Sequence, residues 1–312
     1  MAAFLTRRIA LAFVTLFSVL TLVFVIMRIL PGDPAQLILG DQASREAIDA
    51  LRVRLGLDQP IPTQYGRFLV HALRGDWGVS MVSGQSVLDE VLNVLPWTIE
   101  LSLVSLALGV ALGVPLGVWA AVRRNRWVDY AIRLASLAGL SFPAFVLAII
   151  LLFVFAIQLR WFPVISAHKG SFHAWTQSMA LPALSLGLNA AAYITRITRS
   201  AVLEALSEDY IRTALAKGVP QRVVIWRHAL GNAAIPIITV SGLYLSTLIG
   251  NSVLTEIVFS RPGLGKLIVG ALSQRDYTLL EGMMVIYTFA VVLVNLLSDL
   301  AYGFADPRVT FG

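Results

Sequence analysis

The chain contains no cysteine among its 312 residues, which excludes a disulfide framework, thiolate chemistry and any metal site built on cysteine. Histidine is also scarce, and the few present are scattered without an HExxH arrangement: His71, His168, His173 and His228. The sequence also lacks a GxSxG nucleophile elbow. No catalytic centre can therefore be recognised from these motifs.

Charged residues are also scarce in this chain. Only 13% of residues are charged, 57% are hydrophobic, and the mean hydropathy is +0.78. Helical runs of about 20 apolar residues span a bilayer core of about 30 Å, and backbone polar groups in lipid must pair internally. We therefore expect an all-α polytopic membrane protein surrounded by membrane lipid. The net charge of +6 would suit a nucleic-acid partner, but the basic residues cluster at the ends of apolar runs, so no nucleic acid is expected.

Six apolar runs predict six transmembrane helices, at about 9–30, 97–122, 131–159, 180–199, 233–258 and 279–302. The first run follows Arg7 and Arg8 and is longer than the apolar region of a signal peptide, which is about 7–15 residues, so we expect a retained helix. Basic residues are more frequent in the segments assigned to the inner side. This bias predicts that both termini are cytoplasmic.

Four regions follow from this pattern: an N-terminal helix (1–30), an outward segment (31–95), a five-helix core (96–306) and a cytoplasmic tail (307–312). The outward segment carries apolar residues at helical spacing, including Ala47, Ile48 and Leu51. The stretch from Ser86 to Asp89 is a plausible capping box that opens a further helix. The segment is thus predicted to be a small, mostly helical extracytoplasmic insertion.

Two features mark the predicted core. Gly109, Gly113 and Gly117 form a stripe on the second span that would let another helix approach closely. The third span is interrupted at Phe142–Pro143, where an ordinary proline kink is the favoured interpretation, although broken helices at membrane depth can line a substrate route. Phe142, Pro143 and Asn251 are the candidates for a translocation path.

The loop 204–236 is an island of charged and small residues. Acidic residues stand at the start of its first helical pattern and Lys217 at its end, which is the order that a helix dipole favours. Gly218 suits a left-handed C-terminal residue, and Pro220 suits the first turn of a second helix. The pattern predicts a compact knob of two short helices, either a solvated cytoplasmic loop or a docking element.

No nucleotide-binding signature is present. Ser260 to Lys266 has a glycine and lysine content like that of a phosphate loop, but the glycine spacing is wrong and Leu267 replaces the Ser or Thr that would hold magnesium. Acidic residues in the spans lie near span ends, where packing or orientation is favoured over contact with substrate: Glu100, Glu256, Glu281 and Asp299.

The segments DYIRTALAKG (209–218) and RHALGNAAIP (227–236) resemble the cytoplasmic EAA loop of ABC-transporter permeases, in the version of the dipeptide/oligopeptide importer family. Arg212, Thr213 and Ala214 stand at the Glu-Ala-Ala positions, and Gly231 stands where the general pattern has proline. Further motifs follow in the family's order: LPGDPA (30–35), GDWGVS (75–80), NRWVD (125–129), SFPA (141–144) and RPGLG (261–265). The long outer segment is typical of the B-type subunit.

This resemblance implies a type I ABC importer permease fold in which the loop is a coupling helix seated in an ATPase subunit. The residues implied in coupling are Glu208, Asp209, Tyr210, Arg212, Thr213, Ala214, Lys217, Gly218, Arg227 and His228. The implied partners are a homologous C-type permease, two ATP-binding subunits and a periplasmic or lipid-anchored solute-binding protein in a bacterial inner membrane. The chain itself would be no enzyme and would bind no cofactor or metal, since ATP and magnesium would sit on the partner subunits.

The family implies di- or oligopeptide cargo, with glutathione, nickel chelates and sugars as alternatives. SMVS (80–83) and SEDY (207–210) are faintly similar to glutathione-type relatives. Outside the family, an ion-coupled secondary carrier would need acidic residues in mid-span, and an intramembrane enzyme would need a nucleophile and base that converge. The sequence shows neither pattern.

Overall fold

The computed structural model describes residues 2–29, 34–39, 43–165 and 171–305, whose regular structure is helical apart from an isolated antiparallel bridge between Val79 and Ser86. The helices before the middle of the chain are α1 (Ala2–Ile29), α2 (Pro34–Leu39), α3 (Arg45–Leu55), α4 (Ile61–Arg74), α5 (Val87–Val122), α6 (Trp127–Ser141) and α7 (Ala144–Leu151), the last continued by a π-helical segment (Leu152–Gln158). After it come α8 (Phe172–Ser207), α9 (Asp209–Ala216), α10 (Gln221–Val223), a π-helical segment (Val224–Ala229), α11 (Leu230–Val258), α12 (Leu264–Ser273) and α13 (Tyr277–Ala305).

The all-α, polytopic prediction is confirmed, but the count of six spans is not. Four helical segments of the described residues are long and apolar enough to cross a membrane, or five if the bent pair α6 and α7 is one span. The predicted fourth span, 180–199, lies in α8 and is less apolar than these. Because α8 is enclosed by other helices, it buries polar residues such as Ser185, Thr195 and Thr198. That α8 crosses the membrane stays a prediction.

Two spans begin earlier than predicted. Helix α5 runs without a break from Val87 through Pro96, so the helix expected after Ser86 and the second span are one element. A proline inside a helix removes one backbone hydrogen bond, and here the helix continues through it. The second helix expected in the loop 204–236 is likewise the first part of a continuous segment, Gln221–Val258, rather than a separate short helix.

The third span is broken rather than kinked. The axes of Trp127–Ser141 and Ala144–Gln158 differ by 96°, so the expectation of an ordinary kink is wrong. Phe142 is extended (φ −88°, ψ 122°) because a residue before proline is pushed out of the helical region. Pro143 is extended as well (φ −57°, ψ 138°), and its carbonyl accepts hydrogen bonds from Val146 and Leu147 in the first turn of α7. Two successive extended residues turn the chain.

The chain divides into two compact units. The first comprises Met1–Pro96 and Gly263–Leu293, and its core is built from Val23, Val87, Leu264 and Met283 among others. The LPGDPA motif falls outside the described residues except for Pro34 and Ala35, which begin α2. The apolar helix α12 lies between the fifth and sixth predicted spans, where no helix is predicted from the sequence.

A buried aspartate joins the GDWGVS motif to the start of α13 within the first unit. Asp276, which is 1% exposed, accepts hydrogen bonds from Ser80 Oγ at 2.5 Å, from the Val82 amide at 3.3 Å and from the Leu279 amide at 3.0 Å. The last bond caps the start of α13. The GDWGVS motif (75–80) is thus tied through Ser80 to the residue that precedes α13.

The second unit comprises Trp97–Pro262 and Val294–Gly312, and α8 is its central helix, packed against α6, α7, α9 and α11. The tail after 305 lies outside the described residues. The glycine stripe faces α8: a Cβ on Gly109 would lie 2.5 Å from Ala190 Cβ, and one on Gly117 would lie 2.5 Å from Thr198 Cβ. The predicted close helix approach is confirmed, with α8 as the partner.

Candidate functional site

The site is the turn between α8 and the segment Gln221–Val258. Helix α8 ends at Ser207, and the extended residue Glu208 (φ −72°, ψ 149°) redirects the chain into α9. The carbonyl of Glu208 accepts the amide of Ile211 at 3.1 Å. Asp209 lies at the first turn of α9 and Lys217 directly follows its last residue, which complements the helix dipole as predicted.

Gly218 ends α9 in the left-handed conformation that the sequence predicts, with φ +79°. Its amide donates to the carbonyl of Leu215 at 2.9 Å, and the Val219 amide donates to Ala214 at 3.1 Å. Pro220 then precedes α10, and its carbonyl accepts the amide of Val223 at 2.9 Å. Every backbone turn between α9 and α10 is therefore closed by a hydrogen bond, as expected of a rigid connection.

One apolar face anchors α9. Ile211 is 3% exposed and packs with Ala205 at the end of α8 and with Val224 and Ala229 of the π-helical segment. Asn232 Nδ2 adds two polar contacts within the loop, donating to Tyr210 Oη at 2.7 Å and to the carbonyl of His228 at 3.1 Å. The loop is thus fixed to α8 and to the helix that follows it.

Most of the predicted coupling residues in this loop are exposed. The exposed ones are Glu208, Asp209, Tyr210, Arg212, Thr213, Lys217, Gly218 and Arg227, whereas Ala214 and His228 are half-buried. Arg212 and Asp209 form an ion pair at 3.3 Å between largely solvated side chains, which contributes little to stability. The structure therefore brings the predicted residues into one knob.

Sequence reasoning missed two apolar residues on this exposed surface. Leu215 is 50% exposed and Trp226 is 55% exposed. Tryptophan and arginine are enriched at protein interfaces, where an aromatic anchor supplies much of the binding energy. A tryptophan next to Arg227 in an otherwise charged loop was the available signal.

Sequence reasoning also missed a buried ion pair between α6 and α8. Arg199 Nε lies 2.6 Å from Asp129 Oδ1, and Arg199 Nη2 lies 2.7 Å from Oδ2. Asp129 is fully buried and also accepts the amide of Asn125 at 2.9 Å. Asn125 has φ +60°, in the turn between α5 and α6. The pair fixes the start of α6 to α8 shortly before the loop, and the NRWVD motif contains its acidic member.

Phe142, Pro143 and Asn251 are all exposed within the second unit. Phe142 and Pro143 occupy the break between α6 and α7, where Asn189 Nδ2 of α8 donates to the Phe142 carbonyl at 3.0 Å. Asn251 lies on α11. That these residues share one translocation path stays a prediction.

Two glutamates of the second unit that were singled out near span ends are held by hydrogen bonds to neighbouring side chains. Glu256 is fully buried and accepts Thr98 Oγ1 at 2.6 Å. Glu100 accepts Arg261 Nη2 and Trp175 Nε1, each at 2.5 Å. These contacts favour the structural interpretation for both glutamates. The side chain of Asp299 lies outside the described residues, and within the described ranges no group of three His, Asp or Glu side chains could hold a metal ion.

Comparison with known proteins gives concordant matches. Residues 113–311 match the family described as binding-protein-dependent transport system inner membrane component, and residues 1–102 match the N-terminal domain of such membrane components. The glutathione transport system permease protein GsiC of Escherichia coli K12 is 40% identical over 297 residues, which is 95% of each chain. Its counterpart in Salmonella paratyphi A has the same identity and coverage.

Solved structures share the fold. The inward-facing MetNI methionine ABC transporter superposes with a TM-score of 0.56 at 20% identity, over 70% of this chain and 97% of that one. An amino acid ABC transporter crystallised with histidines gives a TM-score of 0.52 at 14% identity, over 69% and 94% of the two chains.

Proposed function

This chain belongs to the family of inner-membrane components of binding-protein-dependent transport systems, and we propose that it forms half of the translocation path of an ATP-driven importer and couples to its ATPase through the loop 204–236. The family makes it a membrane permease subunit of the ABC importer class rather than an enzyme. The MetNI likeness assigns the type I importer permease fold.

The observation that carries the coupling role is the two-sided construction of α9. Ile211 anchors one face of the helix, whereas Asp209 and Thr213, on the opposite face, are exposed. A solvated loop needs no such anchor, whereas an element that transmits force needs both a partner surface and a rigid attachment. The attachment reaches α8 directly and α6 through the Asp129–Arg199 pair.

The proposed partners are a homologous C-type permease, two ATP-binding subunits and a solute-binding protein. ATP and magnesium would bind to the ATP-binding subunits. The chain would lie in a bacterial inner membrane with both termini in the cytoplasm, an orientation that the distribution of basic residues supports.

The mechanism we propose is a mechanical one. When ATP closes the two ATP-binding subunits, each coupling helix moves with the cleft in which it is seated. Because α9 is packed against α8 and the start of the segment Gln221–Val258, that movement turns these helices and opens the path towards the binding protein. The contact must differ in free energy between the two states, since an equal contact shifts no equilibrium.

The proposed cargo is a di- or oligopeptide. The relatives named as glutathione permeases support peptide-like cargo and make glutathione, itself a tripeptide, the first compound to test. Nickel chelates and sugars are the other cargoes to compare.

The test is uptake by proteoliposomes that contain the chain purified together with the proposed C-type permease and ATP-binding subunits. We expect uptake of glutathione or a dipeptide only when ATP and the solute-binding protein are both supplied. A secondary carrier would instead transport with the chain alone and an ion gradient. Uptake by the chain alone without ATP would therefore overturn the proposal.

The path itself can be probed because the chain has no native cysteine. A Phe142→Cys variant should react with a water-soluble thiol reagent in the assembled complex. Addition of cargo together with ATP should change the rate of this labelling. Leu112→Cys serves as the control, since Leu112 is exposed on the apolar helix α5. Equal and constant labelling of the two cysteines would argue against a path at the α6–α7 break.

A further inference from the structure

A groove of about 570 Å³ lies between α6 and α8 in the second unit. Three arginines line it: Arg133 from α6, and Arg196 and Arg199 from α8. Leu134 and Leu137 supply part of its apolar wall. Arginine in a membrane-spanning helix is costly, so it marks a functional site by default.

The residues that line this groove include three arginines and no Asp or Glu. Asp129 is engaged by both nitrogens of Arg199 in the bidentate pair. Among the described residues, no carboxylate forms an ion pair with Arg133 or Arg196; each instead lies over a tyrosine ring, Arg133 at 5.7 Å from Tyr130 and Arg196 at 5.6 Å from Tyr193. Two guanidinium groups therefore face the groove with donors available to an anion.

The position of the groove fits the boundary of a bilayer. Helix α6 begins at Trp127, directly after the basic turn at 123–126, and Arg133 follows six residues later. At 1.5 Å per residue this places Arg133 about 9 Å along the helix from its start. Arg196 and Arg199 lie on the same end of α8, before it leads into the loop 204–236.

The apolar wall continues away from that end. Leu134 and Leu137, spaced i and i+3 on α6, are 68% and 62% exposed, and Leu140 follows one turn later in the lining. An acyl chain laid along these leucines would cover exposed apolar surface. A cationic pocket at the boundary that leads into an apolar groove matches an amphiphile with an anionic head.

We propose that this groove binds an anionic phospholipid, with its phosphate between Arg133 and Arg196 and an acyl chain along Leu134 and Leu137. Basic pockets between membrane helices are suited to anionic headgroups. The lipid would lie between α6 and α8, the two helices that the Asp129–Arg199 pair links. The proposal requires only that the chain spans a membrane, and it does not depend on coupling to an ATPase.

The test is native mass spectrometry of the complex as purified, delipidated in detergent and titrated with phosphatidylglycerol, phosphatidylcholine or soluble glycerol phosphate. We expect phosphatidylglycerol to be retained preferentially, and each arginine lost to reduce that retention roughly fivefold. The double variant Arg133→Gln with Arg196→Gln should lose the preference. The control Arg124→Gln removes one positive charge from the exposed basic turn, as each single variant does from the groove, and should leave binding unchanged.

Several results would overturn the assignment. Equal retention of phosphatidylcholine, equal binding of glycerol phosphate, or unchanged binding by the double variant would exclude an anionic phospholipid at these residues. Displacement by glutathione or a dipeptide would assign the groove to cargo instead. Lipid binding can also be measured on the chain purified alone. If no ATP-binding subunit co-purified with the co-expressed chain, the proposed coupling would be contradicted, but the lipid measurement would be unaffected.

Discussion

Two residues near the loop 204–236 have structural roles that can be separated by substitution. Gly218 has φ +79°, and a Cβ built on it would meet no atom within 4 Å. The chain itself therefore has room for a side chain there, so only the backbone conformation and the proposed partner surface would oppose one. Asp129 is the opposite case, because it is fully buried and held by three hydrogen bonds.

We predict that Gly218→Val abolishes peptide-stimulated ATP hydrolysis by an assembled complex. The left-handed conformation adds a strain of roughly 1–2 kcal/mol, and the new side chain enlarges the docking surface. Gly75→Val is the matched control, because Gly75 ends α4 at φ +71° and its Cβ would also meet nothing within 4 Å. Stimulation at the wild-type level in Gly218→Val would contradict a docked coupling helix.

We predict that Asp129→Asn lowers the stability of the second unit by about 3–5 kcal/mol, because it leaves the Arg199 guanidinium without its charged partner in a buried site. Thermal unfolding of the purified protein measures the change. Asp209→Asn breaks a second Asp–Arg pair whose side chains are 94% and 77% exposed, and it should have almost no effect. Equal losses in the two variants would show that burial of the Asp129 pair is not what matters.

At the scale of elements, the second unit depends on the close contact of α5 with α8. Gly113 shows how little space remains, since a Cβ there would lie 2.9 Å from both the Ala191 carbonyl oxygen and Ile194 Cβ. The contact therefore needs glycine for space and not for backbone conformation. It also explains why α8 can hold Thr195 and Thr198 away from lipid.

We predict that Gly117→Ala destabilises the protein by about 1–3 kcal/mol, because the added Cβ would lie 2.5 Å from Thr198 Cβ and 2.8 Å from the Thr195 carbonyl oxygen. Gly231→Ala is the control: Gly231 lies in α11 with no atom within 4 Å of its Cβ, so alanine should be neutral or stabilising by up to about 1 kcal/mol. A stability of Gly117→Ala equal to wild type would mean that α5 and α8 are not in close contact.

The sequence predicted the helical class, the glycine stripe and the left-handed Gly218, because each depends on local periodicity or backbone conformation. The predicted starts of two long helices were wrong. Helix α5 continues through Pro96, and the segment Gln221–Val258 continues through the π-helical residues Val224–Ala229. Sequence reasoning did not find the Asp129–Arg199 pair, whose members are 70 residues apart in the chain. Contacts of that range are set by the packing of α6 on α8, which no local pattern encodes.

At the scale of the whole molecule, the chain belongs to a family of membrane components of transport systems, and the partners that we propose for it would contact its exposed surfaces. Its exposed knob carries Leu215 and Trp226, and the relatives that it matches over 95% of its length are named as permease proteins of transport systems. Transport would thus be a property of the proposed complex, in which this chain supplies half of the translocation path and one coupling helix, α9.

The most direct test of the central claim is cysteine cross-linking, which is clean because the chain contains no cysteine of its own. Leu215→Cys places a thiol at an exposed position of α9, and Leu73→Cys places one on α4, where the side chain is 82% exposed in the segment predicted to face outward. We expect a bifunctional reagent to join the chain to an ATP-binding subunit through Leu215→Cys, and not through Leu73→Cys. A link through Leu73→Cys, or none through Leu215→Cys in a complex that hydrolyses ATP, would contradict the account.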